Sequence, residues 1–406
     1  MRNVSYVRSG SSFVRVVIAL AIGLLAASGC KKGDKKEGGG EPPPAKEGEA
    51  AGEKKEGAEA QPPPAGGGAG KIALLLPESQ TARYEAADRP YFEAKFKSLC
   101  AGVDIVYSNA NQVATDQQQQ AEAAIAQGVK VMVLDPVDGE AAGAIVNDAK
   151  GKNIPVISYD RLIKGGASPD YYVSFDNERV GQLQGAALLE KLTAMGKKEP
   201  KITMINGSPT DNNATLFKAG AHKALDGKVK VVKEDAAANW KPEEAQQLME
   251  QFVAAVGPKG FDGAYQANDG TAGGAIAAMK AAGIDPKSKP TTGQDAELAA
   301  IQRIVAGEQY MTVYKAIRPE AEKTAELACA LFKGEKPAEG VVTGKVNNGT
   351  IDVPSVLLTP IAVTVDGAGE TESVADTVVK DKFYGEDSVA QICKGYEKAC
   401  AAAAIK

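Results

Sequence analysis

Residues 154–161 read Ile-Pro-Val-Ile-Ser-Tyr-Asp-Arg. A short apolar, β-rich run with a turn signal on each side has the pattern of a buried strand, and this one ends on a carboxylate followed at once by a guanidinium. In an open α/β sheet ligands occupy the crevice beyond the carboxyl ends of the strands, so Asp160 and Arg161 are expected to project into it. Adjacent charges are often no more than a solvated loop pair. The stronger reading comes from the other strands, which end the same way.

Working outward, short apolar strands and amphipathic helices alternate from Lys71 onwards. Strands read at 72–76, 103–107, 129–134 and 154–159, with helices near 84–99, 116–127 and 139–150. A second set has strands near 201–205, 229–232, 263–267, 290–293 and 310–314, and helices near 178–195, 212–225, 242–256, 271–282 and 298–305. This βαβ alternation predicts an α/β protein of two doubly wound parallel-sheet lobes, roughly 150 residues each. Neither Gly-x-Gly-x-x-Gly nor Gly-x-x-x-x-Gly-Lys-[Ser/Thr] opens a helix after a strand, so a nucleotide lacks its usual phosphate cradle.

The loops at the strand ends carry Asn, Asp, Arg and Lys beside aromatics. They include Thr81-Ala82-Arg83-Tyr84, Asp160-Arg161, Phe175-Asp176-Asn177 and Pro209-Thr210-Asp211-Asn212-Asn213, then Asn239-Trp240, Asn268-Asp269, Gly293-Gln294-Asp295 and Tyr314-Lys315. Sugar hydroxyls both donate and accept, so carboxylates, amides and cations match them, while a sugar's C–H face packs on an aromatic ring. Trp240 is the only tryptophan, and its Ala-Asn-Trp-Lys-Pro setting is loop-like rather than core-like. Simpler roles compete at several positions. Asn212, Asp269 and Asp176 suit helix N-caps, Lys315 a solvated strand end and Tyr84 a packing position.

The 406-residue chain is 44% hydrophobic, enough for two cores, and its formal net charge of -5 argues against a nucleic-acid partner. His222, the only histidine, falls in a helical segment and reads as an ordinary surface or packing residue, so Ser-His-Asp and Cys-His chemistry would both depend on it. No cofactor is expected, and no Cys-x-x-Cys or His-rich cluster suggests a metal.

At the N-terminus Arg2, Arg8 and Arg15 precede the apolar run 16–27 and then Ala27-Ser28-Gly29-Cys30. That is the layout of a secretory signal, too short for a membrane span, and a cysteine after small residues resembles a bacterial lipobox. Residues 1–29 are therefore expected to be a lipoprotein signal peptide, with Cys30 lipidated and anchoring the protein to a membrane facing the periplasm. Residues 30–70, rich in Lys, Glu, Gly, Ala and Pro, are expected to form a disordered tether. Cys100, Cys329, Cys393 and Cys400 remain, enough for two disulfides in an exported protein, with three pairings open. On a continuous tail helix Cys393 and Cys400 would lie about 10 Å apart along the axis, too far to bond each other, so the tail is expected to be stapled to the body.

Several motifs occur in order: Ser158-Tyr159-Asp160-Arg161, Ser174-Phe175-Asp176-Asn177-Glu178, Ser208-Pro209-Thr210-Asp211-Asn212-Asn213-Ala214, Asn268-Asp269-Gly270-Thr271-Ala272-Gly273-Gly274, Gly293-Gln294-Asp295-Ala296, Met311-Thr312-Val313-Tyr314-Lys315 and Asp352-Val353-Pro354-Ser355. Together they make residues 71–384 resemble the ribose-binding-like, type I periplasmic sugar-binding proteins of ABC importers. The resemblance implies a monomeric receptor that closes over one pentopyranose, with D-xylose expected, and delivers it to an importer permease. Its sugar contacts would be Arg83, Tyr84, Asp160, Arg161, Asp211, Asn213, Trp240, Asn268, Asp295 and Lys315. Three hinge crossings would fall near Asp176, near Lys315 and at 344–349. The lobes would then comprise 71–176 plus 316–345, and 177–315 plus 346–385, with 386–406 a Cys-containing tail. The family's Arg-Trp pair is here Arg83-Tyr84, which alters one stacking wall.

Two other classes compete. An enzyme would use Asp160 and Asp295 as paired carboxylates on a glycoside or pentose. A repressor core of the same fold would need a helix-turn-helix before the first strand, where a secretion signal and tether stand instead. Sensing for a chemoreceptor or kinase would use the same binding chemistry as import.

Overall fold

The structure, a computed structural model, describes residues 70–406. The signal run, Cys30 and the Pro-rich segment lie outside the described residues.

The first lobe is built on β1 (Gly70–Leu76), α1 (Arg89–Leu99), β2 (Val103–Asn109), α2 (Ala114–Ala126), β3 (Met132–Leu134), α3 (Ala142–Lys150), β4 (Val156–Tyr159) and β5 (Tyr171–Phe175). Alternation along β1 shows why both faces of its sheet are covered. Ile72, Leu74 and Leu76 join one apolar cluster with Phe92 and Phe96 of α1. Ala73 and Leu75 join another with Ala121 and Ala124 of α2 and Val146 and Ala149 of α3. Strands buried on both sides read as near-continuous apolar runs, which is how 154–159 reads but for Ser158.

The second lobe follows with α4 (Asn177–Ala194), β6 (Lys201–Asn206), α5 (Asn212–Leu225), β7 (Lys230–Ala236), α6 (Pro242–Val256), β8 (Gly263–Gln266), α7 (Asp269–Ala281), α8 (Leu298–Val305) and β9 (Met311–Tyr314). Its strands form a β7-β6-β8 sheet and a sheet that includes β9. The strand expected at 290–293 is only a single bridge, Ala264 to Thr291. Even so, Thr292 N–H donates to Ala264 O, while the Tyr310 and Val313 N–H groups donate to Thr291 O and Gly293 O. The segment thus stitches β8 to β9 without regular pairing.

The remaining elements are α9 (Ile317–Phe332), β10 (Gly344–Asn347), β11 (Asp352–Leu358), β12 (Ile361–Thr364), β13 (Glu372–Ser373), α10 (Ser388–Cys393) and α11 (Glu397–Ala402). The chain passes between lobes at Asp176, where β5 gives way to α4, and at Lys315 and Ala316, between β9 and α9. The third passage corrects the expected 344–349 boundary. β11 pairs in parallel with β5, from Ser355–Tyr172 to Leu358–Phe175, and β10 pairs antiparallel with β11, so both extend the first lobe's sheet in the order β10-β11-β5-β4-β3-β1-β2. The Asn348-Gly349 turn closes a hairpin inside that lobe, as Asn-Gly turns commonly do. The chain crosses only at Thr359 and Pro360, after which β12 pairs antiparallel with β9. Residues 346–358 therefore belong to the first lobe.

The cysteine pairing also corrects the expectation for the tail. Cys100 bonds Cys329, and Cys393 bonds Cys400 across a Cα–Cα distance of 5.8 Å. The tail is not one helix. α10 stops at Cys393, Gly395 takes a φ of 82°, and α11 begins at Glu397, which folds the two cysteines together. Apolar packing holds the tail instead, with Ile392, Cys400 and Ile405 buried among Ile301, Ile304, Val374 and Val378 of the second lobe. The Cys100–Cys329 bond ties α1 to α9 across a sequence separation of 229. Replacing both cysteines by alanine is expected to destabilise the protein by ~2 to 4 kcal/mol, read as a lower midpoint in denaturant unfolding.

Candidate functional site

The strand-end loops singled out above are directed at one place, with the exception of Phe175-Asp176-Asn177, which does not line it. Arg83 and Tyr84 enter from the π-helical turn Tyr84–Asp88 after β1, Asp160 and Arg161 from the end of β4, and Lys315 from the second crossing. The second lobe supplies Asp211 and Asn213 at the start of α5, Trp240 between β7 and α6, Asn268 before α7, and Asp295 after the 290–293 segment. All ten line a single cavity of about 260 Å³, together with Thr81, Phe217 and Gln294.

Helix capping is partly reassigned. Asp176 caps α4, accepting from Arg179 N–H, but Asp211 rather than Asn212 caps α5, and Asn268 rather than Asp269 forms the capping box of α7. Asp269 instead accepts from Gln309 Nε2 at 2.7 Å and Thr312 Oγ1 at 2.9 Å, and burial raises its carboxyl to about 7.

Three cavity residues are held in left-handed backbone: Asp160 at φ 50°, Trp240 at 60° and Asp295 at 93°. Such conformations cost about 1 to 3 kcal/mol each outside glycine and persist where the surroundings over-determine them. Asp160 shows how. Its N–H donates to Val173 O, and its own carbonyl accepts from Tyr172 Oη, Ser174 Oγ and Asn213 Nδ2, the last at 3.0 Å from the opposite lobe.

The charged groups form an interlocked set. Arg83 is gripped from behind by Asp88, at 2.6 Å, and by Glu320 of α9, at 2.7 Å, leaving Nη1 to face Asp160 at 3.2 Å and Asp295 at 3.7 Å. Lys315, only 1% exposed and not the solvated lysine of the simpler reading, lies 3.3 Å from Asp160 and 3.5 Å from Asp295. Arg161 Nε lies 3.1 Å from Asp211. Burial alone would raise the Asp160 carboxyl, but the charges of Arg83, Lys315 and Arg161 outweigh it and hold the group below the usual carboxylate range. Burial opposes the charge on Lys315 too, and Asp160, Asp295 and Glu320 together more than restore it.

The aromatic walls differ from each other. Trp240 packs edge-on to Phe217 in the second lobe's core while also lining the cavity, so both readings of it apply. A Cβ on Gly207 would meet the Trp240 ring at 1.9 Å, so only glycine lets that ring sit there. Tyr84 has the guanidinium carbons of Arg83 and Arg161 at 5.3 and 5.7 Å from its ring centroid, and its hydroxyl bonds Asp160 at 3.1 Å and Arg161 at 3.3 Å. The altered wall is therefore a polar, cation-backed one.

Several buried groups at the cavity have no hydrogen-bond partner among the described residues: Asp295 Oδ1, Gln294 Oε1, Trp240 Nε1 and Arg161 Nε. Buried polar atoms left unmatched are costly, and here both acceptors and donors are left over around one cavity, a mixture that a polyol can satisfy. Thr81, Phe217 and Gln294 also line the cavity and were not among the expected contacts, although Gln294 stood within a motif. Glu78, Asp88, Asp135 and Glu320, which hold the arginines from behind, were also missed. Among the described residues no group of His, Cys, Asp or Glu is arranged to hold a metal ion, and no helix is long and apolar enough to cross a membrane.

Two lobes, three crossings and a polar crevice between them define the class, and the chain belongs to the periplasmic binding proteins: residues 72–336 match the family described as "Periplasmic binding protein domain". It is similar to the D-xylose-binding periplasmic protein of Escherichia coli, 40% identical over 79% of this chain and 92% of that one. It also resembles the multiple sugar-binding periplasmic receptor ChvE of Rhizobium radiobacter, 32% identical over 72% of this chain and 86% of the other. Among solved structures, an ABC transporter solute-binding protein from Clostridium phytofermentans with bound β-D-glucose superposes with a TM-score of 0.68 at 28% identity, covering 78% of this chain and 99% of that one.

Proposed function

We propose that this protein is the substrate-binding component of an ABC importer for a monosaccharide, with D-xylose the first candidate. The observation that carries the reading is the convergence, from both lobes, of charged, amide and aromatic side chains on one polar cavity where Asp295 Oδ1, Gln294 Oε1 and Trp240 Nε1 are left unpartnered. The relatives named for D-xylose and for several sugars agree with it. Asp160, Asp295, Arg83, Lys315 and Arg161 would make charge-assisted bonds to hydroxyls, Asp211, Asn213 and Asn268 would add further ones, and Trp240 would take the C–H face.

The mechanism is two-state closure. A sugar held by one lobe leaves hydroxyls and protein groups unpaired, whereas the closed form pairs them, so ligand favours closure by its differential contacts. An importer permease then recognises the closed shape, and a chemoreceptor has the same surface to read. Export to the periplasm and anchoring through a lipid on Cys30 complete the reading, with the protein acting as a monomer. A paired-carboxylate mechanism would need one carboxyl held protonated, and the cations around Asp160 exclude it from that role.

Because Trp240 is the sole tryptophan, its fluorescence reports on the site without labelling. Titrating the purified protein with D-xylose, D-glucose and L-arabinose is expected to give a saturable emission change, with D-xylose binding most tightly. The sugar should be recovered chemically unchanged. No response to any monosaccharide in a thermal-shift panel would sink the reading.

A further inference from the structure

Behind the cavity, Arg161 is shared by three carboxylates. Its Nε lies 3.1 Å from Asp211 Oδ2 and 3.7 Å from Asp135 Oδ1, and its Nη2 lies 3.7 Å from Glu78 Oε1. All four side chains are at most 4% exposed. Three buried carboxylates around one guanidinium cannot all stay ionised cheaply, because each desolvated anion needs a counter-charge or a set of donors. The local hydrogen bonds decide which one yields. Glu78 Oε2 accepts from the backbone N–H groups of Gln80 and Thr81. Asp211 Oδ1 accepts from Asn213 N–H at 2.8 Å, at the positive end of α5. Asp135 is fully buried, and neither of its oxygens has a donor within hydrogen-bond reach among the described residues.

The three acids do not come from one lobe. Glu78, Asp135 and Arg161 follow β1, β3 and β4 of the first lobe, while Asp211 is carried on the β6–α5 loop of the second. Two contacts of that loop cross the cleft: Gly139 N–H donates to Thr210 O at 3.1 Å, and Thr210 Oγ1 donates to Val137 O at 3.2 Å. Closure therefore brings a further carboxylate to a guanidinium that already serves two, and it removes water from all of them.

We propose that closing over the sugar takes up about one proton, held on Asp135, which lies behind Arg161 and does not itself touch the ligand. The inference rests on the sugar-receptor reading and adds a pH dependence to it. The groups facing Asp135 agree. From the hinge side and the opposite lobe come Asp160 and Asp211, which favour its protonated form. Arg161 and Arg83 oppose it, and burial exceeds both, so the carboxyl is raised well above its ordinary value. Tyr84 is neutral and raised by burial, and Gln117 of α2 donates to the Asp135 backbone carbonyl and not to its carboxylate.

The sign follows from linkage. A group that binds a proton more tightly in the closed, liganded form makes binding stronger as pH falls. The effect spans the pH range between the value of the Asp135 carboxyl in the open form and its higher value in the closed one, and amounts to at most about tenfold in affinity per pH unit per proton. Calorimetry of D-xylose binding near neutral pH, in buffers of low and high ionisation heat, reads the proton count directly. The expected result is net uptake approaching one proton, with affinity falling as pH rises from about 5.5 to about 7.5. In Asp135→Asn the uptake should drop towards zero and the pH slope should flatten. A merely structural role would weaken binding at every pH and leave the slope intact.

Measurable binding with buffer-independent heats would overturn this inference and leave the sugar reading standing. The same proton count in Asp135→Asn as in the parent chain would also overturn it. Absence of heat with both D-xylose and D-glucose would overturn the sugar reading and this inference together. The buffer series on the parent chain needs no variant, so failure of Asp135→Asn to fold does not shield the idea.

Discussion

Arg83→Ala is expected to lower stability by ~3 to 5 kcal/mol as well as to abolish tight sugar binding, the largest single effect the site should show. The reason lies behind the cavity. Arg83 answers Asp88 and Glu320, two fully buried carboxylates, while also facing Asp160 and Asp295. Removing the guanidinium leaves those acids in low dielectric with Lys315 as the remaining nearby cation, and breaking a buried ion network from the side of its shared partner is the costly direction. For a domain of this size the fall in melting temperature should be roughly 6 to 20 °C.

The pH dependence gives the prediction a second readout. Burial already raises the Glu320 carboxyl well above its ordinary value against the pull of Arg83. Without Arg83 the folded form binds a proton that the unfolded chain releases near its ordinary value of about 4.3. The variant should therefore lose stability as pH rises above that value, by up to about 1.4 kcal/mol per pH unit per proton, and should recover some of it in acid. A melting temperature and a pH slope equal to those of the parent chain would show that Arg83 does not sit among buried acids.

The alternation of strands and helices was readable in the sequence because a parallel sheet covered on both faces favours near-continuous apolar runs, and 72–76 and, but for Ser158, 154–159 are such runs. The positions brought to the cavity were readable for a related reason: the crevice collects the residues just past the end of each strand, and a polar residue directly after an apolar run stands out. The same rule, applied to Glu78 after β1 and Asp135 after β3, would have found two of the acids behind Arg161. It could not have found Glu320, which lies 237 residues from Arg83 on the face of a helix with no local mark. The misplaced third crossing has a different cause. An Asn-Gly turn signals a reversal of the chain, and only the pairing of β11 with β5 tells whether that reversal stays within one lobe. The tail misled through its composition, since an Ala- and Lys-rich run suggests one helix and Gly395 breaks it.

Asp295→Ala is expected to separate function from stability in the opposite sense to Arg83→Ala. Around Arg83 and Lys315 stand Asp88, Asp160, Asp295 and Glu320, so this part of the network holds more acids than bases. Asp295 Oδ1 has no hydrogen-bond partner among the described residues, although Arg83 Nη1 and Lys315 Nζ lie 3.7 and 3.5 Å away. Removing this carboxylate relieves like-charge repulsion and leaves both cations paired through Asp160, so the sugar-free protein should melt at the same temperature or higher. Active sites commonly keep such unfavourable groups at the expense of stability. The variant loses a charge-assisted bond to the ligand, together with the pull the second lobe exerts on it. The loss is ~1.5 to 3 kcal/mol, about ten- to over a hundredfold in the dissociation constant for D-xylose. The two effects meet in one experiment. Added sugar stabilises the parent chain in proportion to the logarithm of its concentration over the dissociation constant, so at a fixed sugar concentration the variant should start as high as the parent and gain far less. Trp240 emission titrations on both proteins would give the dissociation constants directly. Equal constants would remove Asp295 from the sugar's contacts, and a lower sugar-free melting temperature would show that its attraction to Arg83 and Lys315 outweighs the repulsion it suffers.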